Sequence, residues 1–534
     1  MRNLKRALSL ALAAIMLIGM MVVSASAASY NDLTDKDQIV NKDAVSMLVS
    51  LGIIEGKPDG SYGPTENVDR AQMAKMLSVI MNKGVDNSAL YQSVNSGLVD
   101  VNTNWAKGHI NYCYTTGIIA GRGNGKFDPS ATVTALEAAK MLLVAVGYDP
   151  AIEGFEGADW AINVSVRADE QGIFEGFTKD LSAPLNRDDA ALLIYNALDV
   201  EMIQSYTTNN YPIAYSDHRT ILADKYGVIK VQGVVVANEW ASLASDDGDA
   251  ALKEGKTTIY NGEGIFSTTG NTTVSKEDAS LKTQTFNVST PVDMLGKTVN
   301  LYIKKTTILA DSTVYGDPVV SDVNTVVTTG ETVLYSGAKD PQVDYDKLLG
   351  ENGLTDKDAK YFWNYNSGKY IPNTTEKYGD KTANVKGATL TIIDNNGDGE
   401  VDYVLSVEKA LADITSVNSK KETVTIRTLG TLDNKDVVGY EDMAKEDVVL
   451  YVQYGGRTYL EKPEVVTGEM EHFNVKGTEK YMTVGGEKYK ADELETNART
   501  EVVKFDVTEC DKANGVQFET SYNFYLDDYG NVIA

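Results

Sequence analysis

Two arginines stand where a cation is electrostatically out of place. Arg70 and Arg187 each follow an N-cap residue, Asp69 and Asn186, and each opens an amphipathic stretch. The first residue of a helix faces the positive end of its dipole, which is mildly unfavourable for a positive side chain. Beside unpaired helix amides, however, a guanidinium makes a strong anion site. The plainer reading is a solvated surface arginine. The caps belong to the same signal. Asp69 with Gln72 and Thr134 with Glu137 have capping-box spacing, in which two side chains satisfy each other's backbone donors; Asn186 with Asp189 is a shorter imitation. In the middle stretch Ala135 takes the arginine's place.

A second constellation could hold a metal. Asp394-Asn395-Asn396-Gly397-Asp398-Gly399-Glu400-Val401-Asp402 sets oxygen side chains at the first, third, fifth and ninth positions. Glycine stands at the sixth, and the Glu400 carbonyl can serve at the seventh. This is the front of an EF-hand-type calcium loop, without the bidentate glutamate at the twelfth position, which is Leu405. Strand-like residues flank it, so the expectation is a weak Ca2+ site between strands, with a polar turn as the alternative. Other chemistry is sparse. The three histidines, His109, His218 and His472, have no metal-binding spacing, and no Cys-x-x-Cys, nucleophile elbow or phosphate loop occurs. A pair of carboxylates acting on a glycosidic bond stays open, because such pairs are set by separation in space.

The arginines are positioned by a repeat. A block running from Gly52 to Pro64 recurs from Gly117 to Pro129 and from Gly172 to Pro184. Each copy reads as helix, glycine-rich turn, extended segment and second helix. The first helices carry stripes at i, i+4, i+8: Val40, Ala44, Leu48; Trp105, His109, Cys113; Trp160, Val164, Ala168. These stripes predict a core face, which makes His109 and Cys113 packing residues. The second helices carry Met73, Met76, Leu77, Ile80; Ala138, Met141, Leu142, Ala145; and Ala190, Leu193, Ile194, Ala197. One unit cannot bury such a face alone, whereas three around a shared axis can.

These features together resemble the S-layer homology (SLH) domain, the triplicated wall-anchoring module of bacterial surface proteins. The resemblance rests on several motifs in fixed order. Tyr30-Asn31-Asp32-Leu33 and, more weakly, Gly97 to Val101 match the aromatic-x-Asp-Val opening. Trp105-Ala106 and Trp160-Ala161 match the Trp-Ala pair. The Gly-Ile-x-x-Gly turn follows, and then Asp69-Arg70-Ala71-Gln72, Thr134-Ala135-Leu136-Glu137 and Asn186-Arg187-Asp188-Asp189 stand at the Thr-Arg-Ala-Glu helix start. The resemblance implies an all-α, three-pronged pseudo-trimer that binds secondary cell-wall polysaccharide, often through a pyruvylated sugar. Arg70 and Arg187 would then pair with the carboxylate. Trp105, Trp160, Gly56 and Gly121 would shape the groove, with Asp69, Thr134 and Glu137 at the helix starts. Val40 replaces the tryptophan in the first repeat and Ala135 the arginine in the second, so at most two of three grooves are expected to be competent.

After about Asp199 the texture changes to Thr, Val, Tyr and Gly. Val448 to Tyr454, Gly455-Gly456 and Arg457 to Leu460 read as a β-hairpin, as do Tyr481 to Val484, Gly485-Gly486 and Glu487 to Tyr489. The expected class is multidomain: the all-α repeats at 28–90, 91–150 and 151–204, then all-β modules, sandwich- or barrel-like, at 205–407, 408–465 and 466–534. Residues 1–27 read as a secretory leader, with Arg2, Lys5 and Arg6 before an apolar run and Ala25-Ser26-Ala27 at the cleavage site. Its removal takes away three positive charges and moves the formal charge from −27 to −30. Such a surface repels nucleic acid and anionic lipid. No second apolar stretch is long enough to span a membrane. Two cysteines in 534 residues make no disulfide framework, and two separate buried thiols are expected. The function expected is non-covalent anchoring to the wall of a non-enzymatic, lattice-forming surface protein. The alternatives are a wall-anchored adhesin or carbohydrate-binding protein and, behind it, a wall-attached polysaccharide hydrolase.

Overall fold

The computed structural model describes residues 30–243, 251–264, 281–304, 311–330, 341–365, 388–476, 480–490, 495–499 and 501–534. The expected leader, 1–27, lies outside them. Two compact units divide the chain: residues 1–231 with 263–281 and 301–319, and residues 232–262, 282–300 and 320–534.

The first unit is helical. Three helix pairs succeed one another: α1 (Lys42–Ser50) with α2 (Arg70–Met81), α3 (Lys107–Thr115) with α4 (Ala135–Val146), and α5 (Trp160–Glu170) with α6 (Arg187–Leu198). The second-helix stripes are buried apart from the half-buried Met76. The first-helix stripes are buried from their second member onward, at Ala44, Leu48, His109, Cys113, Val164 and Ala168. Their leading residues depart from expectation. Val40 is 82% exposed and Trp105 58% exposed, because α1 and α3 begin two residues later and these side chains precede the helical face.

The extended segments before α2, α4 and α6 close the three pairs into a ring. Val68 N–H donates to Leu185 O at 2.8 Å, Leu185 N–H to Val133 O at 2.8 Å, and Val133 N–H back to Val68 O at 2.9 Å. All three residues are apolar and buried, so a central set of amides is satisfied without water. Each second helix therefore starts against the turn of a different pair. Arg70 N–H donates to Ala131 O, Leu136 N–H to Leu181 O and Arg187 N–H to Glu66 O.

The second unit is β-rich, as its alternating, glycine-punctuated segments predict. One four-stranded sheet runs in the order Thr325–Gly330, Ala388–Asp394, Tyr403–Glu408, Lys360–Trp363. Another runs Glu487–Lys490, Tyr481–Val484, Val465–Asn474, Ser521–Tyr525. A seven-stranded sheet lies around Ala410–Asn418, which pairs antiparallel with Val448–Tyr454 and parallel with Glu495–Asn497. Both predicted hairpins form. Gly455 and Gly456 have φ of 59° and 75°, and Gly485 and Gly486 of 59° and 81°, the left-handed pair that a two-residue turn between twisted strands requires. The texture did not reveal the helix Pro341–Glu351, which seats Tyr345 and Leu349 against Leu390, Ile392 and Val404. Cys113 and Cys510 are free and buried; burial raises both thiols, Cys510 to about 11. Among the described residues no helix is long and apolar enough to cross a membrane.

Candidate functional site

The cyclic docking builds a groove at each contact between a turn and the helix starting beside it. The first groove is a cavity of about 230 Å3 lined by Gly56, Lys57, Tyr62, Gln72, Lys75, Trp105 and Arg187, among others. Three helix pairs thus contribute to one site. The turn and α2 come from the first, Trp105 from the second and Arg187 from the third. The Arg187 guanidinium lies over the Tyr62 ring, 4.7 Å from its centroid, while Tyr62 Oη donates to the Arg187 carbonyl at 2.7 Å. Among the described residues only a long bond, Nη2 to Glu55 O at 3.4 Å, engages its edge, and its Nε is buried without a partner.

The second groove has the corresponding parts in different use. Arg70 is 5% exposed and lies over the Phe127 ring at 4.4 Å. Its Nε donates to Phe127 O at 2.9 Å and Nη2 to Ala120 O at 2.8 Å. Burial, with Arg122 nearby, brings the Arg70 guanidinium down to about 10. Arg122 pairs with Glu137 at 2.7 Å, and Lys140 lies 5.6 Å from the Trp160 ring. Arg70 is thus fastened to the neighbouring turn, whereas Arg187 keeps unmet hydrogen-bonding capacity.

The third groove lacks the chemistry. Counted along the repeat, Ala135 replaces the arginine, Leu192 the lysine of Lys75 and Lys140, Ser182 the aromatic floor, and Val40 the tryptophan. The two departures noted in separate repeats fall together here. Val40 N–H donates to Asp188 on α6 at 3.1 Å, and Thr134 bridges to Pro184. Asp189 accepts from Lys179.

The capping boxes form as expected. Gln72 N–H donates to Asp69 at 2.7 Å and Asp69 N–H to Gln72 at 2.9 Å. Glu137 N–H donates to Thr134 at 3.2 Å and Thr134 N–H to Glu137 at 3.3 Å. Gly121 is needed for close approach: a Cβ there would come within 2.9 Å of Lys126 O. Lys57, Tyr62 and Lys75, with Arg122, Phe127 and Lys140, were missed in the sequence, although aligning the first two copies puts them at equal offsets. The opening motif also shifts. Asp35, not Asp32, accepts from the Tyr62 and Gly63 amides at 2.7 and 2.8 Å, as Asp100 does from Phe127 and Asp128. Partial burial works against these two charges, but the amides hold both carboxyls below the ordinary range.

A family model of the S-layer homology domain matches residues 29–74 and 99–139. The chain carries S-layer homology domains. The two matches fall on the first two helix pairs. The chain is also similar to a cell surface protein of Thermoanaerobacter kivui, 27% identical over 270 residues that make 50% of this chain and 32% of that one. It is 33% identical to an S-layer protein of Bacillus licheniformis over 21% of this chain and 12% of the relative. An amylopullulanase of Thermoanaerobacterium thermosulfurigenes is 30% identical over 32% of this chain and 10% of its own. The chain thus spans about a third or less of these relatives, and similarity of this extent does not separate surface proteins from enzymes.

In the other unit the Asp394–Asp402 loop is organised by its own amides. Asp394, 1% exposed, accepts from Asn396 at 3.1 Å, Gly397 at 2.8 Å and Gly399 at 2.9 Å. Asn396 accepts from Asp398 N–H, Asp398 from Glu400 N–H and Asp402 from Asn395 N–H. The Glu400 carboxylate turns to Lys357. Burial, then the neighbouring Asp394 and Asp398, raises Asp402 above its ordinary value against the Asn395 amide bond. Among the described residues no three His, Cys, Asp or Glu side chains converge as a metal cage.

Proposed function

We propose that this chain is a secreted surface protein held non-covalently to an acidic secondary polysaccharide of the cell wall, displaying its β-rich unit outside. The groove of Arg187 and Trp105 takes the acidic sugar, and the groove of Arg70 and Trp160 is a second, weaker contact. One observation carries the assignment. A half-buried guanidinium, whose edge makes a long bond from Nη2 to Glu55 O, lines a cavity walled by an exposed tryptophan and Lys75. A carboxylate, such as that of a pyruvylated sugar, satisfies the guanidinium in a charge-assisted hydrogen bond while the sugar ring rests on the indole. The SLH match and the similarity to surface-layer proteins support the anchoring role. The third helix pair is proposed as a third, degenerate SLH repeat. The displayed unit is proposed as a non-enzymatic body that associates with further copies in a lattice.

Calcium at residues 394–402 is a separate proposal, supported by the order of its oxygens. Asp394, Asn396, Asp398 and Asp402 would be the side-chain ligands, with the Glu400 carbonyl. A carboxylate offers about four acceptor positions, and Asp394 has three in use.

The test of anchoring is binding of the full chain to purified wall polymer, native and stripped of pyruvate. Arg187→Gln is expected to weaken binding to native polymer about 10- to 100-fold, the loss of one charged hydrogen bond of about 1.5–3 kcal/mol. Stripped polymer should bind the two proteins alike. Equal affinity of wild type and variant for native polymer overturns the assignment.

A further inference from the structure

The wall of the first groove is mounted on a buried histidine. Trp105 precedes α3, and His109 lies one helical turn on, with ring centroids 6.4 Å apart at an edge-on 64°. His109 is 4% exposed, and its Nδ1 lies 2.6 Å from Ser78 Oγ on α2. With the Ser78 hydroxyl donating to Lys75 O at 2.9 Å it accepts from Nδ1–H, and we assign this tautomer, which leaves the Nε2 lone pair bare. That lone pair looks toward Asp86 Oδ2 at 3.6 Å, just after α2. Two acceptors facing each other at this distance are arranged to receive one proton.

This pairing is confined to one groove. The positions of His109 and Ser78 are held by Ala44 with Tyr195 and by Val164 with Leu143 elsewhere in the repeat. Trp160, the counterpart wall, is accompanied by Lys140. The charged groups acting on His109 are Asp86, which favours its protonation, and Lys75, which opposes it; Cys113, also buried, lies one turn along its own helix.

We propose that His109 makes the Trp105 groove proton-responsive: in mild acid a proton enters between Nε2 and Asp86, and the positive charge behind the indole strengthens the hold on an anionic sugar. The second half of this statement rests on the carboxylate reading of the groove; the first half does not. Burial holds the histidine neutral at pH 7 and places its protonation below the ordinary value of 6.5. The ion pair with Asp86 offsets part of the cost of a charge in that position.

The experiment separates the two halves. Tryptophan emission of the full chain, without polymer, is followed from pH 7.5 to 4.5, since a protonated imidazole against an indole edge quenches it. The expected result is a loss of emission with a midpoint below 6.5, absent in His109→Val and moved to lower pH in Asp86→Asn, which keeps the histidine. Emission independent of pH, or a transition retained in His109→Val, overturns the proposal. Binding of native polymer is then compared at pH 7.5 and at the observed midpoint. A gain of about threefold in wild type and none in His109→Val supports the coupling. A transition in emission with no His109-dependent gain overturns the coupling while leaving the proton site. Absence of binding at pH 7.5 as well counts against the carboxylate reading itself.

Discussion

Arg70 and Arg187 occupy the same place in the repeat yet do different work. Arg70 bridges two carbonyls of the adjoining turn, Ala120 O and Phe127 O, from a position with almost no solvent access. Removing it strands buried acceptors, each at about 1–3 kcal/mol. Arg70→Ala is therefore expected to lower the melting temperature of the helical unit by several degrees, whereas Arg187→Ala leaves it nearly unchanged and weakens polymer binding instead; calorimetry with a binding assay separates the two. His109 gives a pH dependence of definite sign. Its folded value lies below 6.5, so the unfolded chain binds the proton more readily. Its contribution to stability is complete above about pH 6.5, and is lost as pH falls from there toward the lower folded value. Thermal melts at pH 7.5 and 5.5 should show a larger drop in wild type than in His109→Val.

Among the elements, what could be read in advance follows from how local each signal is. Capping boxes at Asp69 and Thr134 and glycine pairs at 455–456 and 485–486 are decided by residues within one turn of chain, and the structure has them where the spacing puts them. The core stripes were legible except at Val40 and Trp105, where the helix start, and not the period, decides exposure. Grooves were harder, because each takes residues from different helix pairs. Only cyclic docking brings Arg187 to Trp105 and leaves Ala135 and Val40 sharing a groove. The helix Pro341–Glu351 escaped notice because its apolar residues, Val343, Tyr345, Leu348 and Leu349, are too few to stand out from a strand-like background. At the 394–402 loop, the acidic residues gathered around Asp402 repel one another, so calcium is expected to raise the melting temperature of the β-rich unit and EDTA to lower it. Superimposable melts with and without EDTA would remove calcium from this chain.

For the whole molecule, division of labour follows the division of the chain. The grooves, their arginines and the histidine under Trp105 all belong to the helical unit, whereas the two four-stranded sheets and the seven-stranded sheet belong to the other. The strongly acidic composition, −27 overall, disfavours close association of copies at low salt. Self-association is accordingly expected to grow as salt or divalent cation is added, by light scattering and by electron microscopy of the sheets formed. A protein that stays monomeric under all these conditions would keep its anchor and lose its lattice.

Repeats that stack in a row can be shortened, because an inner copy survives the loss of an outer one. The three amides of Val68, Leu185 and Val133 allow no outer copy. The first pair is fastened to the last, so there is no end from which the assembly can unzip, and deleting any one pair opens buried backbone in the other two. Such a ring tolerates a groove without the arginine, lysine and aromatic residues, as the one around Ala135 is, but it does not tolerate loss of the helices that frame it.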